Sequence, residues 1–357
     1  MTWGRRFLPD FGDVHPEMLL ARGEQSLAPE AVEQLLALAQ PRLRGLFRTA
    51  EPVTVVAAPA GMLREIGLRA AIEHRVLVLV AGSESAALAD TAEALGAEVI
   101  RLVVHPGQTP EPEQLERFLS SPPVDSVALV HAEASTGTLA PLQALASVTR
   151  GRKELVIFVD ATGSLGAAPL ETDDWGLDFV LGASHGPLGL PPGLAFAAAS
   201  TRLLARTRGL AGRGVLLDFL THHGAAAGGT LLTPFDSGLA VAIDRQLERI
   251  EREGLPERWA RHQGMATMVE RWAGGRTDLG LVAAPGRRSP AVSSLRLVPP
   301  LTGAAVAERM LRQGWEIGTG EGPGAEGVIR IGHMGEAGPE QLAALLAAMA
   351  QVLEEDE

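Results

Sequence analysis

VIFVDATGSLGAAPLETDDWGLDFVLGASHGPLGLPPGLAF, residues 156–196, is the stretch whose reading decides the fold. Short apolar runs close on Asp160, on 178–182 and again after Gly193, with polar and glycine-rich turns between them. Worked outward, the same rhythm covers 53–200. Strands are predicted at 53–58, 75–81, 98–104, 125–131, 154–160, 178–182 and 193–199, with helical patterns such as 83–95 and 141–149 between them. The runs are nearly continuous in apolar residues rather than alternating, which implies burial on both faces of a seven-stranded, mainly parallel sheet.

Beyond Thr233 the pattern changes. Leu239, Ile243, Leu247 and Ile250 fall at helix spacing over 237–254, and a second helix is predicted over 256–273. Strands at 279–283, 292–298, 315–318 and 328–333, with helices at 303–314 and 339–355, make a smaller α+β unit. The expected organisation is an N-terminal arm over 1–20, a large α/β domain over 21–253 and a small C-terminal domain over 254–357. Glycine-rich loops at 209–214, 224–229 and 318–327 are the expected mobile segments.

Composition narrows the function. The net charge of the 357 residues is -12, and no arginine cluster is dense enough to track a phosphate backbone, so nucleic acid is not an expected partner. No apolar run reaches the length of a membrane span, and the first residues lack the apolar core of a signal peptide, which gives a cytoplasmic expectation. Without cysteine there is no thiol nucleophile, disulfide or cysteine-based metal site. The adjacent His222 and His223 make a poor metal pair, and the GAAAGG after them reads as a flexible loop; no metal is expected. The chain has a single lysine, Lys153, against many arginines.

HAEASTGTLAPL from His131, followed by the VDA of 159–161 and the PPG of 191–193, resembles the class V aminotransferases of fold type I, the pyridoxal 5′-phosphate (PLP) enzymes that include alanine:glyoxylate and serine:pyruvate aminotransferases. Their pattern runs E-x-S-T-G, V-D-A, S-Q-K, P-P-G. Weaker echoes are GEQS at 23–26, LLTPFDSG at 231–238 and VIRIGHMGE at 328–336. The resemblance implies a large PLP-transferase domain, a small C-terminal domain and a homodimer. It also implies roles. Asp160 would hold the protonated pyridine nitrogen, Ser135, Thr136 and Thr162 would line the ring, Gly61 would belong to the phosphate cup and Thr233 would reach a neighbouring cofactor phosphate. Arg330 would clamp the substrate carboxylate. For Asp160 a capping role, and for Ser135 and Thr136 a plain turn, are the alternatives.

The pattern breaks at its chemical centre. Alignment on Pro191, Pro192 and Gly193 puts Gly186 at the Schiff-base lysine position, with His185 before it. Lys153 precedes the strand that ends at Asp160, roughly 20 Å off at about 3.3 Å per residue. Pro59, Ala60 and Gly61 stand where the family has a Ser-Gly-Thr cup, Glu84 where it has the ring-stacking aromatic, and Thr230 where it has a phosphate-binding tyrosine. The reading is therefore a class V homologue with an eroded site, a degenerate or repurposed ligand-binding or regulatory protein with no covalently bound cofactor. The alternative is an enzyme that holds PLP or pyridoxamine phosphate weakly and noncovalently, with His185 as base. A new small-molecule site from His185, His131, Glu133 and Arg330 is a third reading.

Overall fold

The computed structural model describes residues 5–10, 12–24, 27–120, 123–211, 214–233, 236–322 and 324–354. Gln25 and Ser26 of the GEQS segment and the last acidic residues, 355–357, lie outside them. All seven predicted strands of the first sheet form: β1 (Thr54–Val56), β2 (Arg75–Val80), β3 (Glu98–Val103), β4 (Ser126–Val130), β5 (Val156–Asp160), β6 (Phe179–Ala183) and β7 (Ala195–Ala199). Their spatial order is β1-β7-β6-β5-β4-β2-β3, parallel from β6 through to β3, with β7 antiparallel to both of its neighbours.

The near-continuous apolar runs have a simple cause. Alternate residues of each strand enter two different cores: Val76, Val78 and Val80 pack on one side and Leu77 and Leu79 on the other, as do Val156 and Phe158 against Ile157 and Val159. Helices Ala60–Ala71, Ser83–Ala94, Thr201–Arg208 and Phe219–Ala227 cover the first side. Pro16–Glu24, Pro29–Phe47, Pro112–Phe118, Leu142–Thr149 and Ser237–Glu253 cover the second.

A five-stranded sheet follows the glycine break at Gly254, which separates helices Ser237–Glu253 and Leu255–Gly274. It runs Leu279–Leu281, Val292–Leu297, Val328–Gly332, Glu316–Thr319, and its edge is completed by Arg6–Phe7 from the N-terminal arm, parallel to Glu316–Ile317. Helices Leu255–Gly274, Gly303–Arg312 and Pro339–Glu354 pack on it.

One expectation is corrected. The 224–229 segment is not a loop throughout: Gly224 to Ala227 close helix Phe219–Ala227, whose start is capped by the Asp218 carboxylate on Leu220 N and Thr221 N. His222 and His223 are buried on that helix, bonded to Leu216 O at 2.8 Å and to Thr54 Oγ1 at 3.1 Å. Among the described residues no group of three or more metal-ligating side chains gathers, and no helix is long and apolar enough to cross a membrane.

Candidate functional site

Parallel strands deliver their following residues to one edge. Gly82, His131 to Glu133, Asp160 to Thr162 and Ser184 to Gly186 lie at or just past the carboxyl ends of β2, β4, β5 and β6, the edge at which open α/β sheets place their sites. The second sheet adds Arg330, and the loop after Glu316–Thr319 adds Glu321. The cleft therefore lies between the two sheets, bridged by Ser83 Oγ to Glu321 Oε2 at 3.2 Å.

Asp160 is fully buried. Its Oδ1 accepts from Thr162 N at 3.0 Å and Thr162 Oγ1 at 2.7 Å; its Oδ2 accepts from Arg64 Nε at 2.8 Å and lies 2.7 Å from Arg64 Nη2. Sequence reasoning passed over Arg64, which sits one turn into helix Ala60–Ala71. Gly61 is exposed in the first turn of the same helix, after a Pro59 cap that offers no side-chain bond.

Glu133 is also buried and holds the start of helix Ser83–Ala94. Its Oε1 accepts from Glu84 N at 2.9 Å and Ser135 Oγ at 2.6 Å, and its Oε2 from Ser85 N at 3.0 Å and Ser85 Oγ at 2.6 Å. Burial pushes its carboxyl up to about 7, against the bonds from Ser135 and Ser85 and with help from the nearby Asp160 and Glu321 charges. The contact requires glycine at 82, because a Cβ there would stand 2.3 Å from Ser135 Oγ and 2.5 Å from Glu133 Cδ. Ser135 is thus tied to Glu133 and Ser83 N, and Thr136 to Ala81 O and Thr138 Oγ1. Glu84 accepts from Ser135 N at 3.3 Å.

His185 is half-buried beside Asp10 and Asp160; burial lowers its pKa and those two carboxylates oppose the shift. Gly186 begins a single 3₁₀ turn, Gly186–Leu188, with φ +76°. That turn is latched from the far side by Arg258, fully buried, which donates to Pro187 O at 2.8 Å, and by Gln246, which donates to Leu188 O at 2.7 Å. Arg330 is buried, donates to Thr319 O at 2.7 Å, pairs with Glu321 and lies 4.0 Å from Asp10. His131 is enclosed against Ser164 Oγ at 2.9 Å, and burial lowers its pKa to about 4. Thr233 stands in the segment before helix Ser237–Glu253, apart from these groups in the chain and given no bond among the described residues. The structure thus links Asp160, Thr162, Glu133, Ser135, His185 and Arg330 to one another directly or through Ser83 and Glu321, with Thr136 beside Ser135 in the chain.

The model of the class V aminotransferases matches residues 61–250, more than half of the chain. The chain belongs to the class V aminotransferase family. It is 28% identical to the soluble hydrogenase small subunit of a Synechococcus strain, over 98% of this chain and 92% of that one. It is 30% identical to the 2-aminoethylphosphonate–pyruvate transaminase of Vibrio vulnificus, over 81% of this chain and 79% of that one. The crystal structure of an alanine–glyoxylate aminotransferase from Nostoc superposes with a TM-score of 0.92 at 27% identity, covering 99% of this chain and 96% of that one. The fold is therefore that of the fold type I PLP transferases.

Proposed function

We propose that this class V aminotransferase homologue does not transaminate, and that its cleft serves a ligand-binding or regulatory protein, homodimeric and cytoplasmic, with no covalently held PLP. One observation carries the reading: among the described residues no lysine stands near Asp160. By our reading of the motif spacing Gly186 takes the place of the family lysine, and the single lysine of the chain, Lys153, is exposed in the turn ahead of β5, whereas Asp160 closes the other end of that strand. A Schiff base needs a nitrogen nucleophile and proton shuttling needs the same amine, so neither step has a residue to perform it.

The remaining side chains do not fit PLP either. Pro59 lacks an N–H, Gly61 contributes no hydroxyl, and the Glu84 carboxylate takes up the Ser135 N–H at the place aligned with the ring stacker. What these residues do instead is hold one another: Glu133 closes the helix start, and Arg330 is paired with Glu321.

Purified protein should show no visible aldimine absorbance and no PLP fixed to the chain by borohydride, and light scattering should give twice the 37.4 kDa chain mass. A yellow, borohydride-trappable preparation would sink the proposal. Gly186→Lys should bind PLP weakly at most, since a side chain at φ +76° is strained by about 1–2 kcal/mol and the cup stays unchanged. Full occupancy in that variant would show that the cup is intact.

A further inference from the structure

A carboxylate that is to hold a protonated ring nitrogen must keep an acceptor lone pair facing the cleft and must lack a competing cation. Asp160 keeps neither. Thr162 covers Oδ1 with its N–H and its hydroxyl, Arg64 covers Oδ2 with Nε and Nη2, and no part of the residue is exposed. The guanidinium that supplies the counter-charge comes from within the same chain.

We infer that Arg64 is the residue that closes this cleft to pyridinium compounds, acting as a permanent internal counter-ion for Asp160. The helix that carries it is built to bring it there. Leu63, Ile66 and Leu68 anchor helix Ala60–Ala71 in the core, and Gly67 lets it lie directly on the sheet, where a Cβ would stand 2.4 Å from the Phe179 ring and 2.8 Å from that of Phe158. That close approach holds Arg64 over the end of β5. The Arg64 side chain is 20% exposed and that of Asp160 not at all, so what solvent reaches of the pair belongs to the arginine. The pair is also hard to separate. Removing one partner of a buried ion pair leaves the other charge uncompensated. A pyridinium entering the site would have to displace Arg64 and pay for that charge.

This inference rests on the reading that no Schiff base forms, so the probes chosen need none: pyridoxamine 5′-phosphate, and pyridoxamine to separate the ring from the phosphate. In equilibrium dialysis wild-type protein should take up neither. Arg64→Ala leaves Asp160 buried and unpaired, and should bind pyridoxamine at least about 100-fold more tightly than wild type, the scale of an unpaired buried charge. The gain should vanish in Arg64→Ala combined with Asp160→Asn. Should Arg64→Ala fail to fold alone, its refolding yield should rise with pyridoxamine, and Arg64→Gln, which keeps a donor for Asp160, serves as the folded comparison. Wild type that binds as tightly as the variant, a folded variant with no gain, a gain that survives Asp160→Asn, or refolding indifferent to pyridoxamine would each overturn the role of Arg64. Borohydride-fixed PLP on the wild-type chain would instead overturn the proposed function, so the two failures are distinct.

Discussion

At the scale of single residues, the cleft is decided by who satisfies whom. Both oxygens of Glu133 accept, and two of their donors are backbone N–H groups at the start of helix Ser83–Ala94. Glu133→Gln turns one acceptor into a donor facing a donor, and should cost about 2 kcal/mol in denaturant unfolding at neutral pH; an unchanged midpoint would show that the helix start is held by other groups. Buried histidines set the acid limb. His333, bonded to Ser293 Oγ at 2.9 Å, is held neutral by burial down to about 4. The unfolded chain takes up that proton at about 6.5, so unfolding binds protons between these values and stability falls as pH drops from about 6.5 to about 4, by about 3 kcal/mol for this group. Glu133, raised to about 7, acts in the opposite sense, its stabilising contribution being lost as pH rises. The histidine effect is therefore read as a difference: His333→Gln should lose about 3 kcal/mol less than wild type over that acid range. Parallel pH curves for the two proteins would refute it.

At the scale of elements, the turn Gly186–Leu188 is rigid because residues from distant helices hold it. Arg258 pairs with Glu253 at 2.7 Å and Glu336 at 3.2 Å, and donates to Pro187 O and Gly335 O. Burial would raise Glu336; Arg258, Arg249 and Gln246 outweigh it and hold the carboxyl down to about 2. Arg258→Ala should therefore cost about 2–4 kcal/mol, since it leaves the carbonyls of Pro187 and Gly335 short of a donor while Glu336 keeps Arg249 and Gln246; a loss under about 1 kcal/mol in chemical unfolding would show the latch to be incidental. The latch and the cleft were legible to different degrees. Seven strands were readable because burial on both faces leaves a long apolar run, and Asp160 because it closes one of them. Arg6–Phe7 and the hairpin Ala132–Glu133 with Thr138–Leu139 are two residues each, too short for any period and fixed only by their partners. Helix Phe219–Ala227 hides in a glycine-alanine run, although the Asp218 cap was there to be read. Arg64 was illegible for another reason: its partner lies 96 residues away, and nothing local separates it from a solvated helix arginine.

At the scale of the whole molecule, the N-terminal arm straps the two sheets together. Helix Pro16–Glu24 packs on Ser237–Glu253 of the large unit, whereas Arg6–Phe7 forms an edge of the smaller sheet, its Arg6 Nε 2.9 Å from Glu316 Oε2 across 310 residues of chain. The exposed ion pair contributes little, about 0–1 kcal/mol. Phe7 contributes far more, because it is 1% exposed in the small core, tilted against Trp315 with ring centroids 6.1 Å apart. Between these two segments the chain passes the cleft, where Gly12 lies so close to Gly186 that a Cβ would meet its carbonyl oxygen at 2.1 Å. The arm thus touches the turn at Gly186 as well as contacting both sheets' units. Phe7→Ala should cost about 3–5 kcal/mol by the cavity it opens, and the same substitution should raise amide hydrogen exchange at Gly186 and Leu188, where Arg6→Ala leaves stability and exchange unchanged. A Phe7→Ala protein with wild-type stability and unaltered exchange at that turn would show that the strand is an ornament of the small sheet and that the strap bears no load on the cleft.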